Sequence, residues 1–204
     1  MKTLLLLALF ALTASAQRIV YTKVFPGSNP AYVKITITQA GALTYQEEAN
    51  EPEPDKVQLD SATTTAIFDL AAKLDHFKAK IESGLKVAKM GEKTYRWEEG
   101  TSGSEAKYNH TNDENARALQ EWFEHISESQ RLLADLERTY KYDRLGVNEI
   151  VVRLDVAWQQ KHVVAPGQFT AILDRIAKNE SLLNMARDRA AGLSEAFKTA
   201  AKLP

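Results

Sequence analysis

Ala31-Tyr32-Val33-Lys34-Ile35-Thr36-Ile37-Thr38 decides the reading of the fold. Apolar and polar residues alternate along it, so Val33, Ile35 and Ile37 share one face and Tyr32, Lys34, Thr36 and Thr38 the other. That is the pattern of a half-buried strand. Gly41 then turns the chain into Ala42-Leu43-Thr44-Tyr45-Gln46, a hairpin partner, and residues 18–48 as a whole read as strands.

Downstream, residues 47–55 carry five acids with Pro52 and Pro54, a composition that buries nothing and cannot extend a ladder, so an exposed loop is expected. The short Lys56-Val57-Gln58-Leu59 follows. Asp60 or Ser61 then caps a helix whose Ile67, Leu70, Ala71, Leu74 and Phe77 recur at helical spacing. Residues 85–90 and 93–98 flank Gly91-Glu92, which fits a tight hairpin turn, and residues 104–109 add a strand after Gly100-Thr101-Ser102-Gly103.

Thr111 with Glu114 has the spacing of a capping box and opens a long helix over residues 112–142. Leu119, Trp122, Phe123, Ile126, Leu133, Leu136 and Tyr140 fall in one sector of it, as a core-facing stripe requires. Three more helices are expected over residues 147–161, 168–178 and 181–198, with Pro166-Gly167 between the first two. Strands, helix, strands, long helix and an all-helical end make an α+β fold: an antiparallel sheet of hairpins packed against helices, with a C-terminal helical segment. No βαβ rhythm appears, which removes the doubly wound nucleotide-binding folds.

The N-terminus has a different character. Lys2, the apolar run of residues 4–12 and the small residues Ala14-Ser15-Ala16 form a cleavable signal peptide, residues 1–16. A membrane span needs about 20 apolar residues, more than this run provides, so no membrane span is expected. There is no cysteine, hence no lipid attachment at the cleavage point and no disulfide. The expectation is a soluble periplasmic or secreted protein with an α+β domain at 17–142 and a helical segment at 143–204 packing on it.

The 26 basic and 27 acidic side chains nearly cancel, and cleavage removes only Lys2, so nothing in the charge favours a nucleic acid. No cofactor or catalytic motif stands out. Glu121, Glu124, His125 and Glu128 share one face of the long helix and offer imidazole with carboxylates, but ordinary solvated helix faces look the same, and no metal is assigned. Asn109-His110-Thr111-Asn112 gathers polar groups at a helix start, where capping accounts for them. Tyr95, Arg96 and Trp97, with Lys86 opposite Trp97 on the expected hairpin, form the candidate binding surface for a protein partner, although such aromatics also close small cores. The leading expectation is an exported, non-catalytic binding protein. A hydrolase centred on His110 or His125 and an inhibitor of a secreted enzyme are the alternatives.

Overall fold

Gln17–Val24 (β1) organises the sheet, because it pairs antiparallel with Tyr32–Thr38 (β2) on one side and Glu92–Glu99 (β5) on the other. In this computed structural model, which describes residues 17–201, Ala42–Gln46 (β3) adds to β2, Asp55–Gln58 (β4) to β3, and Ser102–Tyr108 (β6) to β5. The six strands run in the order β4-β3-β2-β1-β5-β6, every neighbour antiparallel. The expected signal peptide lies outside the described residues.

One face of the sheet is covered. Ile19, Tyr21, Ile35, Ile37, Leu43, Tyr95 and Trp97 point inward onto Ser61–Lys73 (α1) and the first half of Glu114–Tyr142 (α2). Asp60 caps α1, accepting from the Thr63 N–H at 2.7 Å. The second half of α2 packs instead on Val147–Gln159 (α3), Thr170–Lys178 (α4) and Asn184–Ala200 (α5), around Leu136, Leu154, Leu173 and Phe197. The fold is α+β.

The seam between the two cores crosses α2 at Ser129 and Gln130, both buried. Ser129 Oγ accepts from the Val164 N–H at 2.9 Å, and Gln130 Nε2 donates to Gln168 Oε1 at 3.0 Å. Buried polar groups must find partners, and these two find them in the loop that joins α3 to α4.

Several boundaries differ from those expected. Residues 85–91 form no strand: β1, distant in sequence, takes the place beside β5 that the local hairpin was expected to fill, and Trp97 faces Ile19 and Ser104 rather than Lys86. Asp113, not Thr111, caps α2, accepting from the Ala116 N–H at 3.0 Å while Thr111 Oγ1 accepts from the Asp113 N–H. The helix therefore begins at Glu114. A 3-10 turn over Pro166–Phe169 precedes α4, and Asn179 Oδ1 holds Ser181 in a turn, which delays α5 to Asn184.

Candidate functional site

The four residues expected to form one recognition surface are distributed over three. Tyr95 and Trp97 are buried: Tyr95 Oη donates to the Ala116 carbonyl at 2.9 Å, and Trp97 packs against Phe68 and His76. Arg96 projects from the open face of the sheet, paired with Glu105 at 2.7 Å and Glu98 at 3.7 Å. Lys86 is exposed on the irregular segment before β5.

The histidines also resolve into local arrangements. His110 Nδ1 lies 3.2 Å from Ser83 Oγ, a nucleophile beside a base, yet no acid contacts the other ring nitrogen among the described residues. Ser83 Oγ also donates to Glu82 Oε1 and accepts from the Leu85 N–H, while Glu82 takes the N–H groups of Asn109 and Gly84. A carboxylate thus occupies the backbone donors that would otherwise stabilise an oxyanion. His125 stacks on His162 at 4.2 Å, and Glu128 sits 3.8 Å from His162 Nδ1. Burial, then the neighbouring His162, pushes the His125 imidazole below its ordinary pKa. No group of three potential metal ligands converges among the described residues.

A polar constellation lies at the end of the inward sheet face near Val24. The alternation that buries Ile19 also turns Tyr21 and Lys23 inward, where Lys23 faces Lys93 across the β1–β5 ladder. Lys93 is only 4% exposed; its ammonium donates to the Asn109 carbonyl at 2.9 Å and lies over the Tyr108 ring. Burial, and then Lys23, pushes the Lys93 amine down. Tyr108 Oη donates to Tyr95 Oη at 2.6 Å and lies 3.1 Å from Gln120 Oε1, whose amide nitrogen donates to Glu124 Oε1 at 2.7 Å.

Tyr21 breaks this pattern of satisfied groups. Its side chain is 1% exposed, stacked on Phe123 with ring centroids 4.5 Å apart, and its buried hydroxyl has no hydrogen-bond partner among the described residues. Burial, then Tyr108 and Glu124, pushes the phenol well above its ordinary pKa, so it remains a neutral hydroxyl. Tyr21 lines a cavity of about 380 Å³ between the sheet and α2. Lys23 and Val33 share the sheet wall, Ser127 and Arg131 come from α2, and Arg153 comes from α3. The three cations Lys23, Arg131 and Arg153 stand against the carboxylates Glu124 and Glu128. Arg131 is loosely held by Glu47 at 3.9 Å and Arg153 by Asp135 at 3.5 Å, exchangeable pairings that leave both guanidinium groups able to turn toward a ligand.

Searches against protein-family models, curated proteins and solved structures find no match to this chain. The sequence reading missed Tyr21, Lys23, Arg131 and Arg153 because no spacing rule connects β1 with α2 and α3. The one local signal is a tyrosine followed by a lysine at inward positions of a strand, where aliphatic residues would pack without polar atoms.

Proposed function

We propose that the chain is an exported, non-catalytic binding protein that takes a small carboxylate-bearing molecule in the cavity beneath Tyr21. The carrying observation is the unpaired Tyr21 hydroxyl. A buried hydroxyl without a partner costs about 1–3 kcal/mol, and phenylalanine would fill the same volume without that cost. A ligand oxygen supplies the missing partner once the ring shifts to turn the hydroxyl, which is sealed from water in this packing, toward the cavity. The two guanidinium groups select a carboxylate, which they bind through paired hydrogen bonds in exchange for Glu47 and Asp135, and Glu124 and Glu128 accept from hydroxyl or amine groups on the same molecule. The volume lies near the small end of the range of about 300–1,000 Å³ usual for ligand sites.

The test is calorimetric titration of residues 17–204, wild type and Tyr21→Phe, with a panel of small hydroxy-, amino- and dicarboxylates. Wild type is expected to bind at least one, and Tyr21→Phe to bind it about 10-fold or more weaker, as loss of one buried hydrogen bond implies. The empty variant should melt no lower than wild type. A panel with no binder, or equal affinity in the variant, sinks the reading.

The contact between Ser83 and His110 favours a second reading, hydrolysis at that pair. Ester turnover that disappears in Ser83→Ala and persists in Tyr21→Phe would replace the binding function with an enzymatic one.

A further inference from the structure

Every residue from Gly84 to Met90, Gly-Leu-Lys-Val-Ala-Lys-Met, is exposed, and none belongs to a helix or strand. Exposed segments without ladder bonds are the ones that enter protease clefts, and most of them are cut. This one is gripped around a single residue, Lys89. Asn109 Oδ1 accepts from the Met90 N–H at 2.8 Å and Asn109 Nδ2 donates to the Ala88 carbonyl at 3.1 Å. One side chain therefore holds the peptide groups that precede and follow Lys89.

The clamp is itself fixed from both ends of the segment. The Asn109 N–H donates to Glu82 Oε2 at 2.6 Å, and its carbonyl accepts from the Lys93 ammonium at 2.9 Å. At the entry, Glu82 Oε1 also accepts from the Gly84 N–H, and Ser83 Oγ accepts from the Leu85 N–H at 3.2 Å. At the exit, Gly91 is buried at φ +91°, and a Cβ there would lie 2.7 Å from Phe25 Cβ, so only glycine lets the chain return this closely. Lys86 is folded into a three-residue turn, with the Val87 N–H donating to the Leu85 carbonyl at 3.0 Å, whereas the chain runs on from Val87 to Gly91 without turn or bend. Lys89 is thus the presented lysine. Glu82 and Glu92 border the same recess, but the Lys89 ammonium forms no ion pair among the described residues.

We propose that residues 87–90 form the reactive loop of a protease inhibitor, with Lys89 entering the primary pocket of a serine protease that carries a carboxylate there. The lysine selects this partner, because an aspartate at the base of the pocket is what sorts cationic from apolar side chains. Reading through one such pocket requires no net positive field around the loop. Val87 and Met90, 42% and 59% exposed, meet the enzyme on either side. In the enzyme's first step its serine hydroxyl adds to the Lys89 carbonyl carbon, the bond to the Met90 nitrogen breaks, and the hydroxyl proton passes to that nitrogen. The products are an ester to Lys89 and a free Met90 amine. Asn109 keeps that amine beside the ester, so it returns to the carbonyl, reforms the peptide and restores the hydroxyl before water can enter. A loop already ordered by Asn109, Glu82 and Ser83 also binds at little ordering cost. None of these residues lines the Tyr21 cavity, and the two proposals stand or fall separately.

The experiment mixes residues 17–204, which contain every described helix and strand, with trypsin, and reads the remaining hydrolysis of a small lysine substrate alongside mass spectrometry of the chain. Equimolar inhibition is expected, with the Lys89–Met90 bond largely intact and chymotrypsin unaffected. Lys89→Ala should weaken inhibition about 30-fold or more, the loss usual for an anchor in a deep pocket, while Lys86→Ala should stay within about threefold of wild type. Lys89→Leu should transfer inhibition from trypsin to chymotrypsin. Both lysines are exposed, so melting and circular dichroism of these variants should match wild type. Asn109→Ala tests the clamp: it should inhibit at first and then fail as Lys89–Met90 is cut, a change that a general loss of stability would not confine to that bond. Rapid cutting of the wild type without inhibition would make the segment an ordinary substrate. Neither cutting nor inhibition would show that it does not enter a protease cleft, and inhibition that survives Lys89→Ala would place the contact elsewhere. Each of these three results overturns the proposal.

Discussion

The two cores that share α2 are made from different side chains. Around the sheet, Tyr21, Tyr45, Tyr95, Tyr108 and Lys93 are buried among aliphatic residues and phenylalanine, and all but Tyr21 have their polar atoms engaged. Around the C-terminal helices the buried set is leucine, isoleucine, valine, alanine and phenylalanine. Apolar packing suffices to hold helices together. The phenols and the ammonium of the sheet core add ring packing but carry a desolvation cost that their hydrogen bonds must offset, a cost absent from the apolar set around the C-terminal helices.

The largest expected effect tests that contrast with pH. Burial pushes the phenols of Tyr21, Tyr45, Tyr95 and Tyr108 up, so the folded sheet half holds protons that the unfolded chain releases near pH 10. Stability from these groups is intact below about pH 10 and is lost as pH climbs above it. Among the described residues the helical core holds one tyrosine, Tyr140, and leaves it partly exposed, so near-ultraviolet dichroism from the sheet half should vanish before the helical signal at 222 nm. Simultaneous loss would make the two halves a single cooperative unit.

A smaller effect separates the neighbours Trp97 and Arg96. Trp97→Ala should lose about 3–5 kcal/mol in urea unfolding, the usual cost of emptying a buried aromatic site. A loss under about 1 kcal/mol would show that the sheet closes without this side chain. Ser129→Ala comes next, because it leaves the Val164 N–H buried without an acceptor; about 1–3 kcal/mol is expected, with faster amide exchange at Val164. An unchanged exchange rate would show that the seam at Ser129 does not couple the cores. Arg96→Ala should be the smallest, under about 0.5 kcal/mol, since its ion pairs lie in solvent.

How much of this was legible follows from the distance over which each feature is decided. The alternation of residues 32–38 and the stripe from Leu119 to Leu136 are local, and both gave their elements correctly because a periodic face must be buried somewhere. Residues 85–90 read as a strand from the glycine turn beside them, but a strand also needs a neighbour, and β1 takes the position beside β5. Asp113 outcompeted Thr111 as the cap of α2 by two residues, a shift that spacing alone cannot resolve. The Tyr21 cavity was not legible at all: it joins β1, α2 and α3, and its defining fact is a hydroxyl left without a partner after packing.

The sheet order β4-β3-β2-β1-β5-β6 has a consequence for how the molecule is built. β1 alone joins the β2-β3-β4 meander to the β5-β6 hairpin, and the Gln17–Glu99 contact closes a loop of 82 residues. β1 meets β2 across the short connection of residues 25–31, so β1-β2-β3-β4 is a local meander that can assemble early, as can the β5-β6 hairpin and the C-terminal helices, whereas loop closure on the scale of the β1–β5 contact is slow. The seam between β1 and β5 is therefore the clasp that fastens last. The sheet wall of the Tyr21 cavity, with Tyr21, Lys23 and Val33, stands on the early side of that seam, and its facing wall on α2 and α3 comes from the half of the chain that the clasp brings in.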